Sequence, residues 1–189
     1  IDWSAEASEK GGYDHFMHKE IHEQPNVIRT IIQKHIHEQS IHFEGLKSSV
    51  VEQLKESPRF IIQACGTSWH AGIIGKYLFE QYTRIPTEVD ISSEFRYRHL
   101  LPGRHEFVVA ISQSGETADT LACIHEAKSK FFSILSLVNV QGSSIERESD
   151  AVIHTHSGPE IGVASTKNYI AQLLNIYLLS LFLGKMKGV

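Results

Sequence analysis

The stretch FVVAISQSGETADT, residues 107–120, places an apolar run directly before a cluster of hydroxyl side chains. Residues 107–111 are typical of a buried strand, and Ser112, Ser114 and Thr117 follow where that strand ends. A helical pattern begins immediately afterwards, so hydroxyls and backbone N–H groups come together at a helix start. The stretch therefore offers the several convergent, uncharged donors that a bound phosphate needs.

The same stretch has a simpler interpretation, in which Ser114 or Thr117 only caps the following helix. A nucleotide-binding loop is not indicated, because neither GxxxxGK[ST] nor GxGxxG occurs in the sequence. Taken alone, the stretch leaves a phosphate-binding loop and a helix cap open as alternatives.

Outward from this stretch, the chain alternates between short apolar runs and helical patterns. The patterns predict strands at 59–64, 87–91, 106–111, 132–138 and 151–154, and helices at 68–84, 117–130 and 165–186. Alternating strands and helices indicate βαβ units, so the predicted fold is α/β, a doubly wound five-stranded parallel sheet flanked by helices. Ligands of such sheets bind beyond the carboxyl ends of the strands, where the strand order switches.

Two further loops at these strand ends carry hydroxyl groups. The first is CGTS, residues 65–68, in which Gly66 permits a tight turn and Ser68 is expected to cap the next helix. The other is GPEIGVASTK, residues 158–167, in which Ser165 helps to open the last helix. Because the carboxyl ends of parallel strands lie at one edge of a sheet, the three loops predict a hydroxyl-lined crevice for a phosphorylated small molecule.

Residues 1–57 differ in character, because they are polar, rich in histidine and helical in period. We therefore divide the chain into a helical N-terminal extension, residues 1–57, and an α/β domain, residues 58–189. Within the extension, Pro25 is expected to end one short helix and to begin another.

Composition excludes several classes of protein. The net charge is −4, which gives no electrostatic reason to expect binding to nucleic acid or to an anionic membrane surface. Cys65 and Cys123 are the only cysteines and lack CxxC spacing, which fits a reducing compartment and predicts a cytoplasmic protein. The apolar run at 170–184 is shorter than the roughly 20 residues of a membrane span and is predicted to be a core helix.

The histidines and Cys65 are candidates for other chemistry. His15, His18 and His22 lie three and four residues apart, so one helix face presents two of them, but HExxH is absent. We predict a solvated helix face there and no metal site. Cys65 follows a strand and is interpreted as a small buried side chain rather than a nucleophile.

Together the motifs identify a resemblance to a known family. CGTS, SEFRYR, SQSGETADTL, GSSIERESD and EIGVASTK resemble the glutamine–fructose-6-phosphate aminotransferases, over nearly the whole chain from about Tyr13 to Gly188. SQSGET alone would indicate only a sugar-isomerase (SIS) domain, whereas SEFRYR and EIGVASTK are more specific to the aminotransferase. The isomerase half of that family contains two SIS subdomains in tandem, and the chain resembles the first of them with its preceding helical segment.

The resemblance implies eight substrate-binding residues and no metal or cofactor. They are Ser112, Gln113, Ser114 and Thr117 for the sugar phosphate, and Thr67, Ser68, Val163 and Ser165 for the sugar. The implied reaction makes glucosamine 6-phosphate from fructose 6-phosphate and glutamine, in a protein expected to be a homodimer.

The resemblance assigns no catalytic residue to this chain. The family's glutaminase domain uses a cysteine at the mature N-terminus, whereas residue 1 here is Ile and the first cysteine is Cys65. No signal-peptide pattern is visible, and we expect the chain to be a piece of a longer protein. The family's proton-transferring glutamate, its histidine and its Schiff-base lysine belong to the second SIS subdomain. The chain alone is therefore predicted to be inactive, and the alternative is a stand-alone SIS module that senses a phosphosugar without turnover.

Four charged residues are further candidates for the site. Glu94, Arg96 and Arg98 either line the crevice or a subunit contact, or form surface ion pairs. Glu160 is a possible crevice carboxylate, although the resemblance gives it no catalytic role.

Overall fold

The computed structural model describes residues 9–101 and 105–189. The N-terminal part contains α1 (Phe16–His35), a hairpin of β1 (Ile36–His37) and β2 (Ser40–Ile41), and α2 (Ser48–Glu56). The remaining elements alternate as β3 (Phe60–Ala64), α3 (Gly66–Thr83), β4 (Thr87–Ile91), α4 (Ser92–Phe95), β5 (Phe107–Ser112), α5 (Ala118–Ser129), β6 (Ser133–Val138), α6 (Ser144–Arg147), β7 (Ala151–His154) and α7 (Lys167–Lys187).

The central sheet has five parallel strands in the order β4-β3-β5-β6-β7. The chain runs from β3 to one neighbour, β4, and returns to the other side at β5, so the strand order switches between β3 and β5. At this point the carboxyl ends lie level, because Ala64 pairs with Ile111. The predicted doubly wound α/β fold is confirmed, with strand bounds that differ from the prediction by at most one residue.

Helices cover both faces of the sheet, so every residue of β3 and β5 is buried. On one face, Phe60, Ile62 and Val109 pack with α1, α2, α3 and α7. On the other, Ile61 and Val108 pack with α4, α5 and α6. This alternation is the two-residue period of a strand, and it explains why these strands consist of nearly continuous apolar residues.

Helix α7 is long and apolar enough to cross a membrane, but half of its most apolar window is buried inside the protein. It lies against α1 and α3. Two polar residues that interrupt its apolar run make internal hydrogen bonds: Asn175 Nδ2 donates to the carbonyl of Thr155, and Ser180 Oγ donates to that of Ile176. These bonds satisfy donors that burial removes from water.

The extension departs from the prediction at Pro25, which lies inside the single helix α1 instead of between two helices. Proline removes one helical hydrogen bond, but residues on both sides of it are held against the domain. Glu20 before the proline and Val27 and Ile31 after it are all buried. Residues 1–8 of the extension lie outside the described residues, and the boundary between residues 57 and 58 stays a prediction.

Candidate functional site

Three loops follow β3, β5 and β7 at one edge of the sheet. We call residues 65–68 the first loop, residues 112–117 the second loop and residues 158–166 the third loop. The first and second loops flank the switch point, where doubly wound sheets bind their ligands. The third loop lies two strands farther along, and it leads into α7.

The second loop folds on itself through its hydroxyl groups. The backbone N–H of Gly115 donates to Ser112 Oγ at 3.0 Å, and the hydroxyls of Ser112 and Thr117 lie 2.9 Å apart. Ser114 Oγ accepts a hydrogen bond from the N–H of Glu116 at 3.1 Å. The predicted hydroxyls therefore belong to one small turn, as an anion-binding loop requires.

The helix-cap interpretation receives no support from Thr117. It is the N-cap residue of α5, yet among the described residues its side chain makes no capping hydrogen bond. Its hydroxyl lies against Ser112 instead. Ser114 Oγ bonds to the N–H of Glu116, which precedes the helix. The first turn of α5 therefore follows directly on these hydroxyls and receives no capping hydrogen bond from the Thr117 side chain.

Gly115 fixes the position of the second loop by close packing. Its φ is +66°, and a Cβ built on it would lie 2.1 Å from Ser143 Oγ, closer than any real contact. Its carbonyl accepts a hydrogen bond from the N–H of Ile145 at 2.9 Å. Only glycine meets both the backbone conformation and the space available here.

Two further bonds join the second loop to the segment after β6. The N–H of Asn139 donates to the carbonyl of Gln113 at 3.1 Å. The N–H of Ser144 donates to Glu116 Oε1 at 2.8 Å, and this bond lowers the pKa of the Glu116 carboxyl. The loop is therefore held in shape before any ligand arrives.

The first loop differs from the prediction in one respect. Helix α3 begins at Gly66 with Cys65 as N-cap, so Ser68 lies in the first turn and does not cap the helix. Its buried Oγ accepts a hydrogen bond from Gln172 Nε2 of α7 at 2.9 Å. The Ser68 hydroxyl therefore takes part in a contact between α3 and α7. Thr67, the residue beside it, is exposed.

In the third loop, Glu160 has a structural role at the start of α7, and its interpretation as a crevice carboxylate stays a prediction. It accepts hydrogen bonds from Ser165 Oγ at 2.9 Å and from the N–H groups of Thr166 and Asn168 at 2.8 and 3.2 Å. These are N–H groups that the start of α7 would otherwise leave without a partner. Val163 is fully exposed at the tip of the loop.

Two charged residues of SEFRYR, Arg96 and Arg98, form ion pairs at the protein surface, whereas the Glu94 carboxylate accepts a hydrogen bond from Ser93 Oγ at 3.3 Å. Arg96 Nη1 lies 3.3 Å from Asp119, and Arg98 contacts Asp90 and Glu88 at 2.5 and 2.8 Å. All these side chains are about one third or more exposed. The structure thus shows surface ion pairs for Arg96 and Arg98, and a crevice or subunit-contact role for the three residues stays a prediction.

Other candidates for chemistry show no reactive arrangement. His18 Nε2 and His22 Nε2 lie 3.2 Å apart on α1, but within residues 9–101 and 105–189 no group of three or more ligating side chains is arranged for a metal. Burial raises the pKa of the Cys123 thiol to about 12. Cys65 is half-buried at the end of β3.

Sequence reasoning missed two residues that organise the site. One is Gln172, whose only signal was that it interrupts an apolar run. The other is Glu20 of α1, which accepts hydrogen bonds from the third loop although the two are separated by more than 140 residues. No local pattern indicated that contact.

Comparisons with known proteins agree with the fold and with the motifs. A SIS domain model matches residues 53–181. The glutamine–fructose-6-phosphate aminotransferase [isomerizing] of Clostridium tetani is 49% identical over 189 residues, and that of Mycolicibacterium smegmatis is 46% identical over 188. The matches cover 100% of this chain but only 31% and 30% of those proteins, so the chain spans about a third of their length.

Among solved structures, the C-terminal domain of glucosamine-fructose-6-phosphate aminotransferase from Francisella tularensis has a TM-score of 0.88 and 39% identity. The similarity covers 95% of this chain and 50% of that one. A putative phosphosugar isomerase from Clostridium difficile has a TM-score of 0.75 and 23% identity, over 91% of this chain and 46% of that one. At that identity the second likeness concerns the fold alone.

Proposed function

The chain belongs to the SIS domain family, and we propose that it is the sugar-phosphate-binding part of a glutamine–fructose-6-phosphate aminotransferase. The whole protein would make glucosamine 6-phosphate from fructose 6-phosphate and glutamine. The observation that carries the proposal is the second loop, in which the hydroxyls of Ser112 and Thr117 meet directly before α5 and Thr117 does not cap that helix. Identity of 46–49% across the whole chain favours this function over a stand-alone phosphosugar sensor.

The second loop would hold the phosphate. Ser112 and Thr117 now satisfy each other, and a phosphate oxygen would accept hydrogen bonds from both in place of that contact. Ser114 and the N–H groups of Gln113 and the first turn of α5 would supply the remaining donors. Hydrogen bonds to a charged acceptor are stronger than those between neutral groups, so the exchange favours the ligand.

The first and third loops would bind the sugar with complementary hydrogen-bonding roles. Ser68 Oγ accepts from Gln172, which leaves the Ser68 proton free for a sugar oxygen. Ser165 donates its proton to Glu160, which leaves its oxygen free to accept from a sugar hydroxyl. Thr67 and Val163 would complete the contacts at the exposed rim of the crevice.

The chemical steps would require groups that we do not assign to this chain. Proton transfer between sugar carbons needs a positioned acid or base, and imine formation needs an amine. We expect the 189-residue chain to make no glucosamine 6-phosphate from fructose 6-phosphate with glutamine or ammonia, as a coupled product assay would measure. No metal or cofactor is invoked, and a cytoplasmic homodimer remains part of the proposal.

Binding of fructose 6-phosphate, measured by titration calorimetry, tests the proposal. Removing one charge-assisted hydrogen bond costs about 1.5–3 kcal/mol, so Ser114→Ala and Thr117→Ala should each weaken binding by roughly tenfold to a hundredfold. The matched control is Ser129→Ala at the far end of α5, where Oγ donates a hydrogen bond to the carbonyl of Glu126. Equal affinity in all three variants would leave the second loop without a role in phosphate binding.

A further inference from the structure

The N-terminal helix α1 makes direct contact with the third loop through a buried carboxylate. Glu20 Oε1 accepts hydrogen bonds from the N–H groups of Ile161 at 2.6 Å and Gly162 at 3.1 Å, and Oε2 lies 3.2 Å from the same Gly162 nitrogen. Glu20 is only 2% exposed. A carboxylate is costly to bury unless donors surround it, and here the loop backbone supplies them.

The loop lies directly on the helix at Gly162. A Cβ at this position would lie 2.5 Å from Glu20 Oε2 and 3.4 Å from the Cα of Met17. Any side chain here would therefore displace the carboxylate or lift the loop. The glycine permits the close approach on which both hydrogen bonds depend.

A second carboxylate of α1 anchors the end of the loop. Glu23 Oε2 lies 2.6 Å from Nζ of Lys167, the first residue of α7, and the Lys167 side chain is only 5% exposed. A cation buried to this extent needs an opposite charge beside it. Glu23 Oε1 also lies 3.5 Å from Lys19 Nζ, one turn earlier on the same helix.

The two contacts bracket the residues that would touch the sugar. Glu20 holds positions 161 and 162, Glu23 holds position 167, and Val163 and Ser165 lie between them. We propose that Glu20 and Glu23 are positioning residues for the sugar-binding part of the site. This inference rests on the proposed function and makes α1 a component of the site instead of a linker to it.

The physical basis is pre-organisation. The third loop has no regular secondary structure, so its order depends on bonds to its neighbours. If only a fraction of the molecules holds the loop in the binding geometry, the apparent affinity falls by that fraction. The second loop has its own supports, so phosphate binding should not depend on α1.

Titration with two ligands distinguishes the phosphate-binding part of the site from the sugar-binding part. Fructose 6-phosphate needs both the second and third loops, whereas inorganic phosphate needs only the second. We expect Glu20→Ala to weaken fructose 6-phosphate binding about tenfold by disordering the third loop, and to leave phosphate binding unchanged. Glu20→Gln keeps one carbonyl acceptor and should recover part of the affinity. Glu38→Gln, an exposed carboxylate just after α1, is the control.

Gly162→Ala tests the same contact from the loop side. Its Cβ would displace Glu20 Oε2, and the substitution lies outside the sheet and the helices, so the fold should persist. The same selective loss of fructose 6-phosphate binding is expected. Amide hydrogen exchange at 161 and 162 should also accelerate in Glu20→Ala and Gly162→Ala, a local readout that does not depend on any ligand.

The outcomes separate this inference from the proposed function. Suppose that the wild-type chain binds both ligands, as the proposed function requires. Unchanged fructose 6-phosphate binding in Glu20→Ala and Gly162→Ala, or equal weakening of the binding of both ligands, would then overturn the positioning role alone. Binding of neither ligand by the wild-type chain would overturn the proposed function and the role in sugar binding with it. Unchanged exchange at 161 and 162 would overturn the contact itself.

Discussion

The second and third loops follow strands of the same sheet, but they are held in place in different ways. The second loop is fixed by its own hydroxyls and by residues 139–145, which belong to the next connection along the chain. The third loop is fixed by Glu160 within it and by carboxylates of α1, far away in the sequence. The second loop is therefore built from residues that are near one another in sequence, whereas the third loop depends on how the N-terminal extension packs.

The largest effect should come from Gly115→Ala, which attacks the local support of the second loop. The left-handed φ and the overlap with Ser143 should together cost roughly 2–5 kcal/mol of unfolding free energy. Urea denaturation measures this, with Gly142→Ala as control. Gly142 also has a positive φ, but open space surrounds it, so it should lose about 1–2 kcal/mol. Equal losses would show that packing against Ser143 contributes nothing.

A smaller effect is expected for Glu23→Gln, which leaves Lys167 buried without its counter-charge. The cost should be about 2 kcal/mol, because an unpaired charged donor loses both water and partner. The comparison is Asp119→Asn, which breaks the exposed pair with Arg96 and should cost at most about 1 kcal/mol. Chemical denaturation at neutral pH compares them. If the two variants are equally stable, the ion pair between Glu23 and Lys167 does not stabilise the protein more than the exposed pair does.

Acid should lower the stability of the protein through His156, which lies just before the third loop. Burial, together with Lys34, His35 and His154, lowers the pKa of His156 to about 4. His156 therefore binds a proton below about pH 6.5 in the unfolded chain, but only below about pH 4 in the folded chain. The free energy of unfolding consequently decreases as the pH falls from 6.5 to 4. The expected slope is at most about 1.4 kcal/mol per pH unit.

His156→Asn tests this dependence. Asparagine tolerates the φ of +56° at this position and does not titrate, so the slope of unfolding free energy between pH 6.5 and 4 should flatten. Burial also lowers the pKa of His35, and some dependence should remain for that reason. An unchanged slope in the variant would exclude His156 as its source.

The smallest effect on stability should come from Val163→Ala at the tip of the third loop. The Val163 side chain is fully exposed, so its removal should change the unfolding free energy by no more than about 0.5 kcal/mol. Thermal denaturation checks this value. A clear loss of stability would mean that the tip packs on the protein, and that the anchors on α1 are not what holds the loop.

Much of the fold and of the second loop was predictable because the signals are local. Strands such as β5 are short apolar runs, and the hydroxyls of Ser112, Ser114 and Thr117 lie within six residues of one another. The family resemblance rests on such local motifs, and both the SIS fold and the relationship to the aminotransferases are confirmed. The eight substrate-binding residues stay predictions.

The remaining features depend on contacts between distant parts of the chain. Pro25 continues α1 because the domain holds residues on both sides of it. Ser68 lies within a helix and bonds to Gln172, 104 residues later, instead of capping. A propensity or capping rule describes only the nearest residues, so it could not anticipate either arrangement.

The bond between Glu20 and Gly162 spans 142 residues of sequence, and this has a consequence for the order of folding. Closing a long loop of chain is entropically costly, and contacts of high sequence separation tend to form late. On the ribosome, α1 emerges well before the residues that it must hold, whereas the turn at Ser112–Thr117 can close as soon as its own strand is in place. If the second loop binds the phosphate and the third loop binds the sugar, as we propose, the newly made protein would form its phosphate site before its sugar site.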